Sequence, residues 1–272
     1  MNFIKEIQHI DKDDIFLGLR YVEFSPTDLC NRQCVFCPHV DPNIFPNQNV
    51  HLTESTVESV VTDLVKHNYQ GNILFAGFGE PTLNRNICKL IKIASKHFPV
   101  VLISNGDKIF DSNWYTIEDF IDAGVALLDL NIYDNKEQYD RWLPTIKKYS
   151  HLININIRLK YEYPIESFFN RGGLILNKTG IDTPCFIPGT KAYIDWDGTL
   201  LFCSHDWSKS ISFGNVLETP LSTLWRCDEL NNIRKKLMYE SRAKVGNPCY
   251  NCNAGGQHHS DILKTIWMSS LK

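Results

Sequence analysis

No stretch of the chain approaches the roughly 18 uninterrupted apolar residues that a membrane-spanning helix needs. Met1 to Leu17 interleave Lys5, Glu6, Asp11, Lys12, Asp13 and Asp14 with apolar side chains instead of building the apolar centre of a signal peptide. The expectation is a cytoplasmic protein with no membrane partner. A surplus of one charge is also missing, since 28 Lys and Arg face 31 Asp and Glu for a net −3, so no general field gathers nucleic acid. The sequence has no internal repeat, low-complexity tract or long charge run, its 15 glycines and 12 prolines are ordinary for 272 residues, and 22% charged residues beside the hydrophobic fraction exclude global disorder. With 43% hydrophobic residues a sizeable core is available. The unusual component is cysteine: nine thiols, an odd number in a compartment that keeps thiols reduced, point to metal binding or catalysis and away from a disulfide framework.

Apolar β-rich runs alternate with amphipathic stretches through the first two-thirds of the chain. Strands are expected at Leu19–Phe24, Asn72–Ala76, Val100–Ser104, Ala126–Tyr133 and Leu152–Leu159. One helix carries Val57, Val60, Val61 and Leu64 on a single stripe behind a Ser55/Glu58 capping box, and a second repeats the stripe at Ile87, Leu90, Ile91 and Ala94 after an Asn84 cap. Ile117–Asp122 and Glu137–Tyr149 complete an alternation that calls for right-handed crossovers and a parallel sheet. Residues 1–165 therefore read as an α/β domain. Beyond them the pattern changes to a hairpin, Lys191–Trp196 and Thr199–Cys203 around Asp197-Gly198, followed by one helix over Leu221–Tyr239, so residues 166–272 read as a second, smaller module.

Cys30, Cys34 and Cys37 fall within eight residues just after the first strand, where ligands collect in an open α/β sheet. Thiolates select zinc, copper(I) or iron–sulfur clusters, and three local ligands leave one metal position for another group. A zinc knuckle completed by His39 fits the spacing as well. Cys185, Cys203 and the Cys249-x2-Cys252 pair offer four thiolates to a second centre, for which tetrahedral zinc and a cubane are equally acceptable on chemical grounds. Cys88 and Cys227 read as structural, with Cys227 open to a role as hydrogen donor, while His258 and His259 lack metal-ligand spacing.

The pattern Cys-x3-Cys-x-aromatic-Cys, with Phe36 as the aromatic, resembles the signature of radical S-adenosylmethionine (SAM) enzymes. The resemblance continues in Gly77-Phe78-Gly79-Glu80-Pro81 after the second strand, a GGEP-like motif with Phe78 interrupting the glycine pair, in Ser104-Asn105-Gly106 after the third, and in Asn131 of the fourth. It implies a partial (βα)6 barrel in which Cys30, Cys34 and Cys37 bind a [4Fe–4S] cluster whose fourth iron is chelated by SAM. Phe36 would then pack by the adenine, Gly77, Gly79 and Glu80 would hold the methionine ammonium, Ser104, Asn105 and Asn131 would contact the ribose or methionine, and Arg158 would pair the carboxylate. The later cysteines, the hairpin and the helix resemble a SPASM/twitch extension. No cysteine follows Cys252, which implies the shorter twitch form with one auxiliary [4Fe–4S] cluster on Cys185, Cys203, Cys249 and Cys252.

The resemblance implies an oxidoreductase that removes hydrogen from a small polar substrate, a sugar, nucleotide sugar or aminocyclitol, with flavodoxin or ferredoxin as reductant. The spacing is similar to that of twitch-type aminocyclitol dehydrogenases. A first strand near residue 19 leaves no room for a preceding peptide-binding domain. Epimerisation, modification of a ribosomal peptide and a non-catalytic zinc-binding module remain as alternatives.

Overall fold

The computed structural model describes residues 14–256 apart from Asn113; His258 and His259 lie outside the described residues. Ten strands are present among them: β1 (Tyr21–Phe24), β2 (Thr27–Asp28), β3 (Gln48–His51), β4 (Asn72–Phe75), β5 (Val100–Ser104), β6 (Val125–Ile132), β7 (Asn154–Leu159), β8 (Lys191–Ile194), β9 (Thr199–Leu201) and β10 (Ser212–Asn215). The helices are α1 (Glu54–Lys66), α2 (Ile87–Ser95), α3 (Asp107–Phe110), α4 (Ile117–Ala123), α5 (Lys136–Tyr149), α6 (Ile187–Thr190), α7 (Leu221–Trp225) and α8 (Asp228–Tyr239).

Eight strands form one sheet in the order β10-β9-β8-β1-β4-β5-β6-β7, parallel from β8 to β7. Six parallel strands are thus present, as a partial barrel requires. The sixth is β8, which adds to the free edge of β1 instead of following β7. The later module is therefore hydrogen-bonded into the sheet that carries the first cysteines. β2 and β3, which periodicity did not reveal because they are short and polar, pair as a small separate ribbon.

Central strands turn one apolar face to the helices that cover them, while the alternate residues, among them Glu23, Leu74 and Ile103, point to the opposite side of the sheet. Val57, Val60, Val61 and Leu64 of α1 and Ile87, Leu90, Ile91 and Ala94 of α2 are all buried against Ile73, Phe75, Val100 and Leu102. The caps differ from expectation. Thr53, not Ser55, begins α1 by accepting from Thr56 N, and Asn86 stands before α2. Asn84 is buried and ties three segments together, donating to the Pro26 and Leu52 carbonyls and accepting from Asn86 N. The single helix expected over 221–239 is broken at Arg226–Cys227. The buried Arg234 guanidinium fills the break, bonding the Trp225 carbonyl at 2.6 Å and the Pro188 carbonyl at 2.9 Å and thereby satisfying a terminal acceptor of α7.

A second, aromatic core joins the modules. Trp207 meets Phe45 at 4.8 Å and Phe78 at 5.0 Å between ring centroids, with Tyr193 and Leu201 completing the group. It links the segment after the first cysteines to the hairpin that ends in Cys203.

Candidate active site

The Cys30–Cys37 loop leaves the sheet after β1 and is pinned at several points. Cys30 N donates to Asn47 Oδ1 at 2.7 Å, Glu80 N donates to the Leu29 carbonyl at 2.7 Å, and Cys37 N closes a turn on the Cys34 carbonyl. Arg32, inside the Cys-x3-Cys spacing, reaches two strand ends: Nε and Nη2 engage Asp107 after β5 at 2.8 and 2.7 Å, and Nη1 and Nη2 engage Asp134 after β6 at 2.5 and 3.1 Å. Asn31 adds bonds to Asp107 and Asn105. Sequence inspection passed over Arg32; its place between two cysteines was the available signal.

Among the described residues no group of three His, Cys, Asp or Glu stands in metal-binding geometry. The surroundings of the sulfurs nonetheless suit metal-bound thiolate. Burial pushes the Cys30 thiol up to about 12 and Cys34 to about 11, so as free thiols they stay protonated and uncharged. Backbone N–H groups two residues ahead favour the anion at Cys30 and Cys37, donated by Arg32 and His39. Bound iron would supply the positive charge that offsets the burial cost, which is the fit such a trio offers a cluster. Among the described residues His39 forms no metal-binding group with the three cysteines. Its Nε2 is 2.8 Å from the Phe78 carbonyl and its ring is wedged against Phe45 and Trp207.

The strand-end motifs converge on Glu80. Its carboxylate is buried and accepts from Thr82 N, Thr82 Oγ1 and Ser104 Oγ on Oε1, and from Asn105 N on Oε2. Burial raises its pKa while these donors oppose the shift. Glu80 thus organises the Ser104–Asn105 turn. Gly77 has φ +90°, and a Cβ there would stand 2.4 Å from Ser25 Oγ; one on Gly79 would stand 2.4 Å from the Leu29 and Thr27 carbonyls. Asn131 is buried on β6. Phe36 stacks on Phe168, 3.8 Å between centroids and 3° from parallel, with Tyr133 on the same aromatic group at 5.9 Å. Arg158 lies in an ion pair with Asp129, so its positive charge is already balanced by the protein.

Cys185, Cys203, Cys249 and Cys252 line one small cavity with Arg242. Burial raises Cys185 and Cys203 and brings Cys249 to about 12. His205 N donates to Cys203 Sγ at 3.5 Å and Ala254 N to Cys252 Sγ at 3.4 Å, and Ile187 N favours the Cys185 thiolate, repeating the two-residues-ahead pattern of the first group. Arg242 is held alongside by the Thr183, Cys252 and Ala254 carbonyls, placing a fixed positive charge near four potential thiolates. Four cysteines around one cavity, with N–H donors and a cation beside them, offer the donor set of a tetrathiolate centre. Cys227 sits apart, in the break before α8, and Cys88 lies on α2.

Between the two groups lies a cavity of about 600 Å³, within the usual range for small-ligand sites. Its wall runs from Ala76–Gly77 at the end of β4 to His205 and Ala254–Gly256 beside the four cysteines, with Glu23, Arg158, Lys160, Arg171 and Lys191 facing it. Asp107 and Tyr133 stand outside this lining; Asp107 is engaged by Arg32.

Comparison with known proteins agrees with this layout. A 2-deoxy-scyllo-inosamine dehydrogenase of Niallia circulans, described as dependent on S-adenosyl-L-methionine, is 24% identical over 246 residues, covering 85% of this chain and 92% of that protein. Among solved structures, BtrN in complex with AdoMet and 2-DOIA superposes with a TM-score of 0.72 at 20% identity, covering 87% of this chain and 94% of the other. Native anSMEcpe with bound AdoMet gives 0.56 at 13% identity, covering 92% and 95%. Residues 185–253 match the SPASM iron–sulfur cluster-binding domain. Residues 24–161, half of the chain, match the radical SAM superfamily, and the chain therefore belongs to that family of enzymes, whose cofactors are an iron–sulfur cluster and SAM.

Proposed function

We propose that this enzyme oxidises a small polyhydroxylated molecule held in the central cavity, with Cys30, Cys34 and Cys37 binding the SAM-chelating [4Fe–4S] cluster and Cys185, Cys203, Cys249 and Cys252 an auxiliary one. The observation that carries the proposal is the cavity's position between the two cysteine groups. When bound, the first cluster and SAM supply one-electron cleavage of the sulfonium and hydrogen-atom abstraction from an unactivated C–H bond. The chain's residues bind, orient and exclude water. Gly77 and Gly79 let the backbone approach the cofactor, Glu80 fixes Ser104 and Asn105, Asn131 adds a polar contact, and Phe36 offers its ring to the adenine once Phe168 yields that face. Aromatic side chains keep solvent hydrogen donors out of the cavity. Four cysteines fill every position of the second centre, which suits electron exchange and leaves substrate contact to the cavity side chains.

Dehydrogenation is favoured over epimerisation because Cys227, the thiol considered as hydrogen donor, forms the N-cap position of α8 instead of the cavity wall. The Niallia circulans dehydrogenase suggests a polyol ring as substrate class. Among the described residues no helix is long and apolar enough to cross a membrane. We place the enzyme in the cytoplasm with a flavodoxin- or ferredoxin-type reductant, and the boundary between core and extension near residue 165.

Anaerobically reconstituted protein should carry about eight irons and release 5′-deoxyadenosine under dithionite. Replacing Cys30, Cys34 and Cys37 by alanine should abolish that release and leave about four irons. Unchanged release would overturn the assignment.

A further inference from the structure

Four cations face the central cavity, Arg158, Lys160, Arg171 and Lys191, against a single lining carboxylate, Glu23. Two of them are balanced in place: Lys191 Nζ lies 3.1 Å from Glu23 Oε2, and Arg158 pairs with Asp129. Lys160 and Arg171 are not. Lys160 Nζ meets only rings, 4.5 Å from the centroid of Tyr163 and 5.7 Å from that of Phe168. The Arg171 guanidinium stands 6.0 Å from the Trp207 ring, and its buried Nε has no acceptor. Neither side chain makes a hydrogen bond or ion pair with any described residue.

Two half-buried, unpaired cations on one wall are costly, because each loses hydration and repels the other. Burial and then Arg158 lower the pKa of Lys160, Asp129 opposes them through space and Arg171 adds to the shift. The tetrathiolate centre does not require them, since Arg242 is already fixed beside it. What relieves the cost is an incoming anion: guanidinium and ammonium groups bind phosphate and carboxylate through charge-assisted hydrogen bonds.

We infer that the substrate carries an anionic oxygen group, phosphate or carboxylate, seated between Lys160 and Arg171 while the aromatic rings beside them wall the rest of the molecule. This rests on the proposed function and narrows its substrate class. It departs from the amine-bearing substrate named for the Niallia circulans relative. An amine is cationic at neutral pH and meets repulsion on this wall.

SAM-loaded, anaerobic holoenzyme is titrated calorimetrically with glucose 6-phosphate, glucuronate and glucosamine, three probes sharing a hexose ring. At least one of the two anionic probes should bind about tenfold or more tightly than glucosamine, and which one does separates phosphate from carboxylate. Lys160→Gln and Arg171→Gln should each weaken that probe by about tenfold or more without changing SAM affinity, and Lys160→Arg should retain binding. The inference is overturned if glucosamine binds as well as the anions, if neither anion binds, or if the variants lose SAM instead, since the cations would then serve the cofactor's carboxylate. Dithionite-driven 5′-deoxyadenosine release without sugar, measured on the same preparation, separates the two levels. Release without anion preference defeats this inference alone, whereas absence of release defeats the underlying reading.

Discussion

Replacing Arg32 by methionine tests whether the cysteine loop is held to the barrel by one side chain. Arg32 has 15% of its side chain exposed, Asp107 13% and Asp134 53%. The Asp134 pair is solvated and contributes about 0.5 kcal/mol. The Asp107 pair is two-pronged and largely shielded, and its loss leaves a carboxylate whose remaining side-chain donor is Asn31, a cost of about 2 kcal/mol. The total corresponds to a fall in melting temperature of roughly 5 °C for a chain of this size. The effect should also be local, with iron falling from about eight toward four per chain as the first site loses occupancy and the second keeps it. Urea unfolding of Arg32→Met, Asp107→Asn and the double variant should yield a coupling energy of 1–2 kcal/mol, approximately. Additivity within about 0.5 kcal/mol, or full iron occupancy in Arg32→Met, would refute the reasoning.

Asp195 is raised from 3.8 to about 6, chiefly by burial, with Lys209 opposing and Asp28 adding to the shift. The folded carboxyl holds its proton more tightly than the unfolded one, so its contribution is present below pH 4 and lost as pH rises through about 6, by up to about 3 kcal/mol. Asp195→Asn should flatten that part of a stability-against-pH profile; a profile parallel to wild type would count against it. Gly77→Ala should cost about 2–3 kcal/mol, from the positive φ and the contact with Ser25, and lower the melting temperature accordingly. Glu80→Gln turns an amide donor toward donors and should cost about 2 kcal/mol while raising the KM for SAM more than it lowers kcat; an unchanged KM would place Glu80 in folding alone.

The strands β4 to β6 were legible from their near-continuous apolar runs and β7 from its Asn–Ile alternation, and the observed limits of all four lie within two residues of those expected. The cysteine spacings were legible because chain connectivity alone brings Cys30, Cys34 and Cys37 near one another. The placement of β8 beside β1 was not, since local periodicity carries no record of which edge a strand joins. Glu80 illustrates the same limit. Its motif marks the position, but beside the local Thr82 donors two more come from the end of β5 and are visible only in three dimensions. Lys160 escaped notice because an unpaired cation is recognised by the acceptors missing around it, whereas Arg171 and His205, expected at the cavity from their place in the linking segment, do line it. The break at Cys227 depends on Arg234, seven residues on, and a helical stripe alone conceals it.

The aromatic group around Trp207 and the β1–β8 ladder have a joint consequence. Deleting everything after residue 184 would not release a smaller working core; it would strip β1 of one hydrogen-bonded neighbour and leave Phe45 and Phe78 bare. Such a truncated chain should be recovered as insoluble material. The two halves are best regarded as one folding unit, joined by a shared sheet and a shared aromatic core.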